Sequence, residues 1–146
     1  MELKLVHTMN VVDAARRIAD GEGFDERTKL ACEVAALLHD TGRYEQLKLY
    51  NTFRDADSVD HAVFSHDIVK SKGWLDGWDL KDAVLTAVLV HNRRDIPAET
   101  MDELTLTCSK TVRDGDKLDI FRDYFCKRRI YHGKEESCHT IKCTCS

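Results

Sequence analysis

The stretch AALLHDTG, residues 35–42, carries a small and apolar helical face directly into a histidine and a carboxylate. Apolar residues continue this face upstream at helical spacing, and Asp25 is placed to cap the N-terminus of the helix. We expect Gly42 to end the helix as the residue after its C-cap. His39 and Asp40 would then lie at the rim of the core, where burial of two polar side chains is unfavourable unless they have binding partners.

Helical patterns account for most of the remaining chain. Only one Pro and seven Gly occur in 146 residues, and no segment shows sustained strand alternation. The sequence therefore predicts an all-α, single-domain protein. The further predicted helices are a first one ending near Gly21, a short one over 44–53, one from Asp60 to Gly73, one over LKDAVLTAVLVHN (80–92), and a long final one from about Met101 through Leu118, Phe121 and Phe125.

Composition excludes several classes of partner. The formal charge of −4 gives no reason to expect a nucleic acid duplex. No run approaches the ~18 apolar residues of a membrane span. The N-terminal residues MELKLVHTMN lack the pattern of an export signal, so a cytoplasmic protein is expected. Cys32, Cys108 and Cys126 fall within helical patterns, which is typical of reduced, buried thiols.

Polar residues interrupt the apolar faces of three predicted helices. His7 lies one turn from Val11, His91 continues an apolar face, and Asp116 follows Val112 by one turn. A buried carboxylate costs several kcal/mol unless it is paired or coordinated. A bound cation would stabilise these groups together with His39 and Asp40.

The order His7…His39-Asp40…Asp116 resembles the H…HD…D signature of the HD-domain superfamily of metal-dependent phosphohydrolases. The resemblance covers most of the chain and implies a helical bundle, residues 1–131, with these four residues as ligands of a divalent metal in its core. The matching local contexts are VVDAARRIA (11–19), LLHDTGR (37–43) and RDGDKLDIF (113–121).

Some branches of this superfamily add two histidines and a second metal ion. His61 and His91 stand in the matching places here, and His66 is a rival for the role of His61. If two ions bind, Asp40 is the natural bridge, because a carboxylate has two oxygens. Nitrogen and oxygen ligands suit Mn, Fe, Co, Ni or Zn, so one or two such ions are expected.

The resemblance implies hydrolysis of a phosphate ester or anhydride of a nucleotide-like small molecule by metal-activated water, with Asp40 in the catalytic centre. Arg43 is predicted to be catalytic and to contact substrate phosphate, and Lys117 and Arg94 are further candidates for that contact. Two alternatives stay open, which are a regulatory metal- or nucleotide-binding module without turnover and a di-iron oxygenase. The oligomeric state is not predicted.

Residues 132–146 lose helical periodicity and hold Cys138, Cys143 and Cys145. Their spacing fits no common structural zinc pattern. We predict an irregular, Cys-rich tail.

Overall fold

The computed structural model describes the backbone of residues 2–131 and the side chains of residues 4–125. This part of the chain is all-α and contains no strand, which confirms the predicted fold class. The predicted tail, 132–146, lies outside the described residues. The helices are α1 (Glu2–Gly21), α2 (Glu26–Leu38), α3 (Thr41–Tyr50), α4 (His61–Lys72), α5 (Lys81–Val90) and α6 (Glu103–Tyr131), with single 3-10 turns at Asp55–Asp57 and Ala98–Thr100.

The core lies between α1, α2, α5 and α6, and α4 joins it through α5. Its buried positions are mostly small residues, which allow the helix axes to approach closely. Fully buried members include Ala15, Ala35, Val84 and Val112. Cys32 and Cys108 are buried free thiols, as predicted.

Local capping follows the sequence. The Asp25 carboxylate accepts hydrogen bonds from the amides of Arg27 and Thr28 at the start of α2. Asp60 caps α4 in the same way, and Gly73 ends α4 in the left-handed conformation at φ 66°. These caps fix where α4 begins, which is at His61.

The predicted role of Gly42 is wrong. α2 ends in right-handed geometry at His39, and α3 begins at Thr41, so Gly42 lies inside a helix. Its amide donates a hydrogen bond to Ser65 Oγ at 2.8 Å, and a Cβ at this position would lie 2.7 Å from Ser65 N. Gly42 is needed because the start of α3 and the first two turns of α4 touch there.

The final helix extends over the predicted residues, but the apolar side chains of its second half are exposed. Leu118, Phe121 and Phe125 are 55–60% exposed, and Ile120 and Tyr124 are similarly exposed. No other described helix covers this part of α6. In the first half, Gly115 lies against α1, since a Cβ there would be 3.3 Å from Val11 O. This close approach brings the next residue, Asp116, to His7.

Candidate metal centre

Four histidines from four helices meet at one end of the bundle. His7 lies on α1, His39 is the C-cap of α2, His61 is the first residue of α4, and His91 is the C-cap of α5. The rings of successive pairs lie edge to face with centroids 5.0–5.4 Å apart. The structure thus brings together His7, His39, Asp40, His61, His91 and Asp116, the six residues predicted as metal ligands.

Each histidine uses its Nδ1 to bond to the surrounding protein. His39 Nδ1 donates to Ala36 O at 2.6 Å, and His91 Nδ1 donates to Val88 O at 2.7 Å. The other two rings donate to carboxylates: His7 to Asp119 at 2.7 Å and His61 to Asp55. Since carbonyl and carboxylate oxygens accept, each Nδ1 carries hydrogen, and Nε2 is the ring nitrogen left to bind a metal.

The Nε2 atoms face one another in two pairs. His7 Nε2 and His39 Nε2 are 3.4 Å apart, and His61 Nε2 and His91 Nε2 are 3.1 Å apart. Where both rings of a pair are neutral, their lone pairs face each other at this distance and repel, and a cation between them would remove that repulsion. Metal–nitrogen bonds of ~2.1 Å at ~90–110° place ligand atoms ~3.0–3.4 Å apart, so both pairs have the spacing of ligands on one ion.

Asp40 divides the cluster in two. Its Oδ2 is 3.7 Å from the Nε2 of both His7 and His39, while its Oδ1 is 3.7 Å from His61 Nε2 and 3.9 Å from His91 Nε2. We call His7, His39, Asp116 and Asp40 Oδ2 the first half-site. His61, His91 and Asp40 Oδ1 form the second half-site.

Asp116 completes the first half-site. Its Oδ1 is 3.1 Å from His7 Nε2 and 3.9 Å from His39 Nε2. Two groups have ligand atoms that all lie within 4.8 Å of one another: His7, His39 and Asp116, which belong to the first half-site, and His39, Asp40 and His91, which span the two half-sites. The residues present therefore fit one or two divalent ions.

The electrostatics of the cluster favour bound cations. Burial lowers the pKa of His39, and it lowers the pKa of His91 to about 4, so both rings are neutral near pH 7. Burial would raise the pKa of Asp40, but His39 and Lys4 hold it well below its usual range. Burial would also lower the pKa of His7, yet its hydrogen bonds to Asp116 and Asp119 raise it. The same carboxylates that favour a protonated ring would favour a metal ion.

The helix ends that carry the second half-site are held together by polar contacts. Asn92, which follows His91, donates to Asp60 Oδ1 at 2.9 Å, and Arg93 pairs with Asp60 Oδ2 at 3.1 Å. Asp60 is the cap of α4, so these bonds tie the start of α4 to the end of α5. His61 and His91 are brought side by side as a result.

Two supporting carboxylates were missed in the sequence. Asp119 is buried on α6 and also pairs with Arg122, and Asp55 lies in the loop after α3. The signal for Asp119 was its position, one turn after Asp116 on the same helix face. Asp55 had no such signal, since it comes from an irregular segment and reaches His61 only in the folded protein.

Of the three residues predicted to contact substrate phosphate, Arg43 lies in the cluster and Lys117 and Arg94 do not. Arg43 lies in the centre, with Nε 3.5 Å from Asp40 Oδ1 and Nη1 bonded to Asp55 Oδ1 at 2.8 Å. Lys117 and Arg94 are exposed, and neither forms an ion pair with the cluster within residues 4–125. His66 lies apart and contacts Asp67, so of the two rival histidines it is His61 that joins the cluster.

Across residues 2–131, no helix has both the length and the apolar character to cross a bilayer.

Comparisons with known proteins identify the family of this chain. No curated protein and no solved structure matches the chain. The model of the HD domain family matches residues 5–120, which is most of the sequence and includes all six clustered ligand-type residues. The chain therefore belongs to the HD domain family, whose members bind divalent metals and are typically hydrolases.

Proposed function

We propose that this protein is a phosphohydrolase with a two-metal centre, acting on a phosphate ester or anhydride of a nucleotide-like small molecule. The observation that carries the proposal is the division of the cluster by Asp40, whose two carboxylate oxygens face two separate histidine pairs. A single-metal site would need neither His61 nor His91. Two-metal centres are common where both the attacking and the leaving oxygen of a phosphoryl transfer need stabilising.

The ligand roles follow from the half-sites. His7, His39 and Asp116 would hold one ion, His61 and His91 the other, and Asp40 both. Such ions, when bound, lower the pKa of a coordinated water and offset negative charge on phosphoryl oxygens. Mn, Fe, Co, Ni and Zn all suit this set of ligands.

Hydrogen bonds within the protein position the metal-binding side chains. The Nδ1 hydrogen bonds fix the orientation of each ring, so that the Nε2 atoms do not have to be ordered when ions bind. The low pKa of Asp40 keeps its carboxylate ionised at neutral pH. Arg43, one turn beyond Asp40, steadies that carboxylate and is the predicted contact for substrate phosphate.

The test is a turnover screen of metal-loaded protein. Protein stripped with EDTA is reloaded with each metal in turn and given nucleoside monophosphates, dinucleoside polyphosphates, cyclic nucleotides and a simple aryl phosphate. We expect release of phosphate or nucleotide from at least one of these. His39→Ala and Asp40→Ala should abolish both metal binding and turnover. His66→Ala should change neither, because this histidine is on the same helix as His61 but lies outside the cluster.

Two results would contradict the proposal. The first is full metal occupancy without turnover of any phosphate compound, which would favour a regulatory module. The second is metal content that His39→Ala and Asp40→Ala leave unchanged, which would mean that the ions bind elsewhere.

A further inference from the structure

A lysine that the sequence did not single out reaches the centre of the site. Lys4 lies on α1 one turn before His7, and its ammonium donates to Asp40 Oδ2 at 2.9 Å. The Lys4 side chain is 25% exposed, whereas Asp40 is 4% exposed. Lys4 therefore connects the buried carboxylate to the surface of the protein. An ammonium has three hydrogens, so two remain for another acceptor.

Arg43 uses one terminal nitrogen to hold the loop beside this site, and its Nε has no hydrogen-bond partner among the described residues. Its Nη1 is shared among Gln46 Oε1 at 2.9 Å, Phe53 O at 2.6 Å and Asp55 Oδ1 at 2.8 Å. Two of these bonds, to Phe53 O and Asp55 Oδ1, hold the segment that follows α3 against the start of that helix. Arg43 therefore positions the loop through Nη1.

That loop places an aromatic ring beside Lys4. The Lys4 ammonium lies 5.7 Å from the centroid of the Phe53 ring, and Phe53 is 37% exposed. An ammonium and an exposed aromatic face next to each other, one side chain away from the bridging carboxylate, offer complementary contacts to an anion and to a planar group.

On the basis of the proposed function, we propose that Lys4 and Phe53 form the substrate entrance of the metal centre. Lys4 binds a phosphoryl oxygen of the substrate, and Phe53 stacks on a planar group carried by the phosphate, such as a nucleobase. The substrate class is therefore a phosphate linked to an aromatic heterocycle rather than a sugar or alkyl phosphate. The two contacts are separable, because only one of them depends on the planar group.

Calorimetric binding to the metal-loaded protein tests this with two ligands that resist hydrolysis. Methylphosphonate carries the anion without a planar group, and the 5′-methylenephosphonate analogue of AMP carries both. Lys4→Gln should weaken binding of both ligands about 10- to 100-fold, since a hydrogen bond to a charged group is lost. Lys4→Arg, which keeps a cation, should restore most of that affinity.

Phe53→Leu should weaken the AMP analogue about fivefold or more and leave methylphosphonate within about twofold of wild type. Matched controls are Lys70→Gln and Trp74→Leu, which remove an exposed cation and an exposed ring near the C-terminal end of α4. Lys70 is ~14 Å from His61 along the helix, and Trp74 lies beyond the end of the helix. Both control variants should bind both ligands as wild type does, and all variants should keep wild-type metal content.

The inference is overturned if the wild type binds neither ligand, if Lys4→Gln binds both as tightly as wild type, or if Phe53→Leu weakens both ligands equally. Loss of metal from Lys4→Gln would also overturn it, because Lys4 would then hold the centre together instead of binding substrate. If the Lys4 and Phe53 variants bind the two ligands as expected but the wild type turns over no phosphate compound, the proposed function is refuted and the proposed entrance is not. Turnover by wild type with an unchanged Lys4→Gln variant would refute only the entrance.

Discussion

Gly42→Ala is the substitution whose effect the structure specifies most closely. Gly42 is two residues after Asp40, at the start of α3, and its hydrogen faces the first turns of α4. A Cβ would lie 2.7 Å from Ser65 N, 2.9 Å from Ser65 Oγ and 3.0 Å from His61 O. Two of these three atoms belong to the backbone of α4, so they cannot turn away by a side-chain rotation.

The shortest of these contacts is about 0.7 Å less than an ordinary 3.4 Å contact, so α4 has to move back. Overpacking of this kind costs about 1–3 kcal/mol. Because His61 is the first residue of α4, it would move away from His91 and from Asp40 Oδ1. We therefore expect Gly42→Ala to lose the metal of the second half-site and to keep that of the first.

The matched control is Gly21→Ala. No heavy atom lies within 4 Å of a Cβ at Gly21, which is in the last turn of α1. Alanine there should raise the free energy of unfolding by about 0.4–1 kcal/mol. Urea denaturation of the EDTA-treated variants gives the stability, and elemental analysis after reloading gives the metal content. If Gly42→Ala is as stable as Gly21→Ala and binds as much metal as wild type, the close contact between α3 and α4 does not hold the second half-site.

Three other predictions concern the histidines and their partners. Asp119→Ala removes the carboxylate that accepts a hydrogen bond from His7 Nδ1, and it should weaken metal binding about 10- to 100-fold. Asp123→Ala removes an exposed carboxylate further along α6 and should leave metal binding unchanged. Equal affinities of the two variants in a metal titration would contradict this. His61→Ala should lose one equivalent of metal and His66→Ala none, as measured by elemental analysis; the reverse pattern would mean that the wrong histidine has been assigned. Burial lowers the pKa of His91 from 6.5 to about 4, so this ring binds fewer protons in the folded protein than in the unfolded chain, and the stability that it contributes to metal-free protein should be lost as the pH falls from 6.5 to 4. Denaturation curves at intervals across that range would show it, and a flat profile would contradict it.

The helices and the ligand cluster could be predicted because both depend on local patterns. Apolar spacing located each helix, and Asp25 and Asp60 marked the starts of two of them. Burial of an unpaired polar side chain costs free energy, so the recurrence of such residues on the apolar faces of several helices indicated a common ligand in the core. The grouping of the six ligand-type residues followed from this and from the resemblance to the HD domain.

The features that were missed depend on contacts between helices. Gly42 has the sequence position of a helix end, and only the approach of α4 explains it. Periodicity likewise cannot tell whether another helix covers Leu118, Phe121 and Phe125, which are exposed in the fold. Asp55 was missed because it lies in a loop, where spacing carries no information about the side chain it will meet.

The most direct test of the two-metal centre is anomalous scattering from crystals of the protein loaded with Mn²⁺. Two peaks ~3.5–4 Å apart are expected, one on each side of the Asp40 carboxylate. The first should be bound by the Nε2 atoms of His7 and His39, and the second by those of His61 and His91. A single peak, or ions bound away from Asp40, would contradict the account.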